Sequence, residues 1–185
     1  MAPSPKLLAV CLPDKQVDVI VEGQLSDVVD YGDGSGTITV MGIVIHIPEG
    51  TPIATPTATL TMAQLADATS LPGRLQPGFI GAAAVVNGTS TSGRVIASDV
   101  FVTPAQNLLV GQVTRNQPLE VNGITVEILN DSRMPGGPLK SIVGVAVVPG
   151  TVPVGAAATV EGYFGHGGTL HATFVEVEDG TPLDA

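Results

Sequence analysis

The sequence predicts an all-β protein made of two tandem copies of one small β-barrel, with one short helix in the first copy. Three observations carry that prediction. Apolar runs rich in Val, Ile and Thr, residues that suit a pleated and half-buried surface, are broken at short intervals by 23 Gly and 15 Pro. Residues 155–162, GAAATVEG, nearly repeat residues 81–88, GAAAVVNG. Extended in both directions, that match grows into a series of blocks recurring in the same order, which shared composition alone does not produce.

Taken from the N-terminal side, VEGQL (21–25) aligns with LVGQV (109–113), and TITVMGIVIHI (37–47) with PLEVNGITVEI (118–128). After the opening match, VIASDVFV (95–102) aligns with LHATFVEV (170–177). In both of these last segments the apolar residues alternate, shift phase once and resume: Val95, Ala97, Val100, Val102 against Leu170, Ala172, Val175, Val177. One extra residue in a strand flips the facing of everything after it, so each segment is expected to hold a β-bulge. The first copy then reads as strands over about 17–29, 36–47, 78–86 and 94–102, and the second as 108–114, 119–128, 142–148, 154–161 and 169–177. The first hairpin turns through Asp33-Gly34-Ser35-Gly36 in one copy and Asn116-Gln117-Pro118 in the other, ordinary turn residues. Between its second and third shared strands the first copy inserts residues 61–68, where Thr61 is placed to cap a helix with Met62, Leu65 and Ala66 inward. The matching stretch of the second copy, 130–138, has no such period.

A barrel of about five strands with a helix after the third describes an OB-fold. The order of motifs also resembles an uncharacterised family of OB-like repeat domains known from predicted exported bacterial proteins. Its pattern is Gly-x-Val, a hairpin, Thr/Leu-x-Val-x-Gly-Ile-x-Val, a spacer, Gly-x-x-Val-x-Val-x-Gly, then Leu-x-Ala, matched here over residues 23–102 and 111–177. The resemblance implies two tandem OB-like small β-barrels and an extracytoplasmic or extracellular bacterial setting, and brings no activity with it. The expected division is an N-terminal arm (1–15), a first OB-like domain (16–104), a second (105–180) and a tail (181–185). The link of residues 103–107 is short, so the domains are expected to pack closely.

Composition narrows the partners. The net charge is −10, and seven Lys and Arg are scattered singly, so no basic stripe exists to neutralise nucleic-acid phosphates or an anionic membrane. Aromatic residues are 3% with no Trp, leaving few rings for bases to stack on. No apolar run reaches the roughly 18 residues of a membrane span, since the best stretch, 142–158, contains Pro149 and Pro153. The opening MAPSPKLLAVCLPD holds a short apolar run but no full secretory signal.

Several residue groups qualify as candidate sites. Asp27, Asp30 and Asp33, followed by Gly34-Ser35-Gly36, offer oxygen ligands for calcium, although their spacing of three departs from an EF-hand loop; the plainer reading is a solvated turn. His46 aligns with Glu127 of the sister copy, which places it toward solvent. His166, in a glycine-rich turn, and His171 form a surface metal pair only if the fold brings them together. There is no Gly-x-Ser-x-Gly turn, no phosphate-cradling glycine motif and no evident paired carboxylate, so no catalytic residue, resident cofactor or enzyme activity is expected. The arm Leu7, Leu8, Val10, Cys11 and Leu12 lies outside both repeats between Pro5 and Pro13, and either packs on its own barrel or adds as a strand to a neighbouring copy.

The resulting expectation is a non-enzymatic structural subunit, self-assembling into an oligomer or filament through strand edges or the arm, with no nucleic acid and no membrane span. The alternative is a binding module for a glycan, a small neutral molecule or a divalent cation. A face gathering the few aromatics (Tyr31, Phe79, Phe101, Tyr163, Phe164, Phe174) would favour the binder.

Overall fold

The computed structural model describes residues 15–135, 139–141, 144, 146–148 and 150–178. The first copy contains β1 (Val17–Asp30), β2 (Gly36–Val40), β3 (Ile43–Ile47), β4 (Ile53–Ala54), β5 (Thr59–Leu60), α1 (Met62–Ala66), β6 (Ala83–Thr91) and β7 (Arg94–Thr103). The second contains β8 (Asn107–Asn116), β9 (Leu119–Val121), β10 (Ile124–Ile128), β11 (Leu139–Ser141), β12 (Ala157–Phe164) and β13 (Leu170–Val177). Strands run in the order β3-β2-β1-β6-β7, closed by parallel pairing of β3 with β7; the second copy runs β10-β9-β8-β12-β13, closed by β10 with β13. The molecule is therefore all-β, with two closed five-stranded barrels in tandem and one short helix. Its strand order is that of an OB-like barrel.

The copies share their irregularities. Pairing of β6 with β7 slips between Asn87 and Gly88, leaving Ser98 as the extra residue, and pairing of β12 with β13 slips between Glu161 and Gly162, leaving Thr173. On either side of each bulge the inward residues are those the phase shift selects: Val95, Ala97, Val100 and Val102, and Leu170, Ala172, Val175 and Val177, all buried. A second shared bulge bends the long first strand, at Ser26 in β1 and at Thr114 in β8. There the hydroxyl donates across the pair, Ser26 Oγ to the Thr39 carbonyl and Thr114 Oγ1 to the Glu120 carbonyl.

The structure changes three element readings, one of them the strand expected over 78–86, which is β6 at Ala83–Thr91. The expected strand over 36–47 is a hairpin, turned at Met41-Gly42 with φ of 53° and 78°; its counterpart over 119–128 turns at Asn122-Gly123 with φ of 50° and 77°. Both residues of each turn are left-handed, as the tight turn between twisted strands requires. Of the strand expected at 142–148, residues 142, 143 and 145 lie outside the described residues; ahead of it, Leu139 of β11 pairs in parallel with Val175 as Ile53 of β4 pairs with Val100. The strand expected over 154–161 begins later, at Ala157, because Gly155 turns the chain with φ of 94°.

Helix α1 forms where expected. The Thr61 hydroxyl accepts from the Gln64 amide and the Gln64 side chain accepts from the Thr61 amide, a complete capping box, and Met62 and Leu65 are buried. No helix among the described residues is long and apolar enough to cross a membrane. The first barrel's apolar cluster includes Leu129, Met134 and Tyr163, which belong to the second copy, so the barrels are joined by packing as well as by chain.

Candidate functional site: the cleft between the barrels

Two copy-specific segments meet at the junction. From the first copy comes the stretch after α1, residues 67–81, held down by buried Leu71 and Phe79. From the second come the turn at 131–134, the end of β12 and the β12–β13 turn containing His166.

Arg133 anchors one side. Its Nε and Nη2 donate to Asp131 Oδ1 and Oδ2 at 2.8 and 2.9 Å, a two-point ion pair, while Nη1 donates to the Asp67 carbonyl at 3.1 Å. The guanidinium also lies 5.5 Å from the ring centre of Phe79. The hydrogen bonds from Arg133 hold the Asp131 carboxyl below its usual range, and those same bonds raise the Arg133 guanidinium further. Arg133 is almost fully buried, so it crosses the junction with each charge-bearing nitrogen engaged.

Tyr163 anchors the other side. Its hydroxyl donates to the Pro72 carbonyl at 2.7 Å, and its ring stacks on His171 with centroids 5.4 Å apart. Burial pushes the phenol up to about 12, against the opposing pull of Arg74. The His171 side chain fills the space beside Gly73 and Gly165, where a Cβ on either glycine would collide with the imidazole. Its Nδ1 is buried without a hydrogen-bond partner, 3.7 Å from Glu127 Oε2 across the β10–β13 pair.

Beside Tyr163 opens a cleft of about 240 Å³, lined among others by Arg74, Gln76, Gln106, Tyr163, Gly165 and His166. The volume corresponds to on the order of eight waters at about 30 Å³ each, so the cleft suits a small molecule. None of its lining residues is acidic. Arg74 Nη2 donates to the Ile80 carbonyl at 2.7 Å and its guanidinium lies 5.5 Å from the Tyr163 ring centre, yet Nη1 is shielded from solvent and has no acceptor. Burial lowers the Arg74 pKa from its usual value, with Tyr163 acting the other way; an arginine stays charged regardless. Leaving such a donor unmet costs roughly 1–3 kcal/mol. The arrangement can receive an acceptor and balance one negative charge.

The sequence candidates are dispersed. Asp30 Oδ1 accepts from the Gly32 amide, and Asp33 Oδ1 accepts from both the amide and hydroxyl of Ser35, which holds its carboxyl below the usual value. Asp27 stands apart on β1, opposite Thr39. Among the described residues no group of three or more His, Cys, Asp and Glu could hold a metal ion. His46 is half-buried and stacks on Tyr31 at 6.5 Å. His171 is buried against the first barrel, whereas His166 stays exposed in its turn. Of the aromatics, Tyr163 and Phe164 line the cleft, Phe79 is in the core, and Tyr31 and Phe101 are exposed elsewhere. The arm residues Leu7, Leu8, Val10, Cys11 and Leu12 lie outside the described residues. Sequence reasoning missed Arg74 and Arg133; the available signal was an Asp-x-Arg step, Asp131 to Arg133, where the sister copy carries a helix. Comparison with protein-family models, curated proteins and solved structures finds no match to this chain.

Proposed function

We propose that the chain is a non-enzymatic structural subunit of an exported bacterial protein, assembling with copies of itself into an oligomer or filament. The observation that carries this reading is an open half-edge. Barrel closure removes strand edges nearly everywhere, but β8 pairs with β12 along residues 107–112 and with β9 only from Val113 onward. One side of residues 107–111 therefore faces no strand among the described residues. Leu108 and Val110 stand on this segment 65% and 64% exposed. The equivalent half-edge of β1, residues 17–23, carries Glu22 where β8 carries Val110, and it carries Asp18 as well. Charge on an exposed strand guards it against pairing, and β8 lacks that guard.

The arm from Leu7 to Leu12 supplies an apolar sequence of matching character. Added to β8 of a neighbouring copy, it forms a head-to-tail contact, which propagates when the rotation does not close. Light scattering after size-exclusion chromatography, with negative-stain microscopy, tests this on the full chain, a deletion of residues 1–13, and Val110→Glu. Assemblies are expected for the full chain of 18.7 kDa, and monomers for both variants, that of the deletion being the smaller. A full chain that stays monomeric at every concentration, or assemblies unchanged in both variants, would end the reading.

A further inference from the structure

We propose that the interdomain cleft is a binding site for a small carboxylic acid with an apolar body, its carboxylate received by Arg74 and its apolar part lying on Phe164 and Leu75. The site is separate from the β8 half-edge, and its occupation does not depend on assembly.

The charge argument comes first. On a chain of net charge −10, Arg115 is paired with Glu120 and Arg133 with Asp131. Arg74 has no carboxylate within ion-pair distance among the described residues, and it keeps a donor that no protein acceptor meets. A buried unmet donor on a charged group calls for a partner that the chain itself does not supply. Arg74 lines the cleft, and the guanidinium fork matches the two oxygens of a carboxylate. A single guanidinium balances one charge, which fits a monocarboxylate better than a phosphate or a polyanion.

The second argument is the rim. Leu75 and Phe164 both line the cleft and are 78% and 48% exposed, flanking the polar floor with apolar surface. Apolar surface gives a small ligand affinity and a few placed polar groups give it orientation, and both kinds of group meet here. Gln76 and Gln106 add neutral amides, of which Gln106 already donates to the Gly81 carbonyl. A neutral ligand can accept from Arg74 but leaves its charge unbalanced and makes the weaker hydrogen bond.

Titration of the full chain with phenylacetate at constant ionic strength, followed through the backbone amide resonances of Gly73 and Gly165, tests the site. Saturable shifts are expected, with phenylacetamide at least tenfold weaker. Arg74→Gln removes the charge and is expected to abolish saturation. Arg94→Gln makes the same change in net charge at an exposed strand end and is expected to leave it intact. Because Arg74 also packs on Tyr163, Gln76→Glu gives a second reading at an exposed position: it supplies an internal carboxylate and is expected to weaken phenylacetate at least tenfold. Absence of saturation in the unmodified chain, equal binding of phenylacetamide, or unchanged binding in both Arg74→Gln and Gln76→Glu overturns the proposal.

Discussion

Met41 and Asn122 occupy the same place in the two barrels, and the comparison isolates what one side chain contributes. Each opens a two-residue turn with a left-handed φ, 53° for Met41 and 50° for Asn122. Asn tolerates that region, whereas for most side chains it costs about 1–2 kcal/mol. Asn122 contributes a further bond, its Oδ1 accepting from the Gln112 amide at 3.0 Å, while its amide lies over Gly111. Met41 lies over Gly23 in the same way and has no oxygen to offer. Met41→Asn is therefore expected to stabilise the chain by about 0.5–1.5 kcal/mol, the net worth of one hydrogen bond and relief of part of the strain. A chemical denaturation curve with unchanged slope and a higher midpoint would show it; a lower midpoint would mean that the Met41 side chain packs better than its 69% exposure implies.

At the scale of elements, the bulges of β7 and β13 were legible and the hairpins were not, for a physical reason. A bulge reverses the side on which apolar residues fall, and that reversal is written in the sequence of both β7 and β13. A two-residue turn inside an apolar run leaves the alternation nearly intact, so Met41-Gly42 passed as mid-strand although Asn122-Gly123 is a strong hairpin signal. Gly88 and Gly162 complete the bulge: a Cβ on either would run into the facing backbone carbonyl, of Ile96 and of His171. Backbone cannot yield as a flexible side chain does. Gly88→Ala and Gly162→Ala are each expected to destabilise by about 1–3 kcal/mol, the usual cost of overpacking. Neither glycine has a left-handed φ, so the cost is steric and not conformational. Costs at both positions well below about 1 kcal/mol would remove the steric account.

For the whole molecule, the question is whether the barrels unfold together. The duplication and its strand order could be read from the sequence, but the junction could not, because its partners are far apart in the chain: Arg133 reaches the Asp67 carbonyl 66 residues away, and Tyr163 reaches Pro72 across 91. Leu129, Met134 and Tyr163 pack into the first barrel's cluster, and Arg133 bridges the same face. Such sharing makes one cooperative unit, so a single calorimetric transition with equal calorimetric and van't Hoff enthalpies is expected at pH 7. Arg133→Ala removes one partner of a buried pair, at a cost of about 3–5 kcal/mol. For a chain of this length that lowers Tm by roughly 6–20 °C, taking about 2–4 °C per kcal/mol. Acid acts on the same contact from the other side. Because Arg133 holds the Asp131 carboxyl below its unfolded value, the pair stabilises the fold fully above about pH 4 and is lost as pH falls through the lower folded value. Melting of the unmodified chain should therefore broaden or split as pH drops below about 4, and Arg133→Ala should melt in two steps already at pH 7. A variant that still melts in one step, with Tm unmoved, would place the coupling in the apolar contacts of Leu129 and Met134 alone.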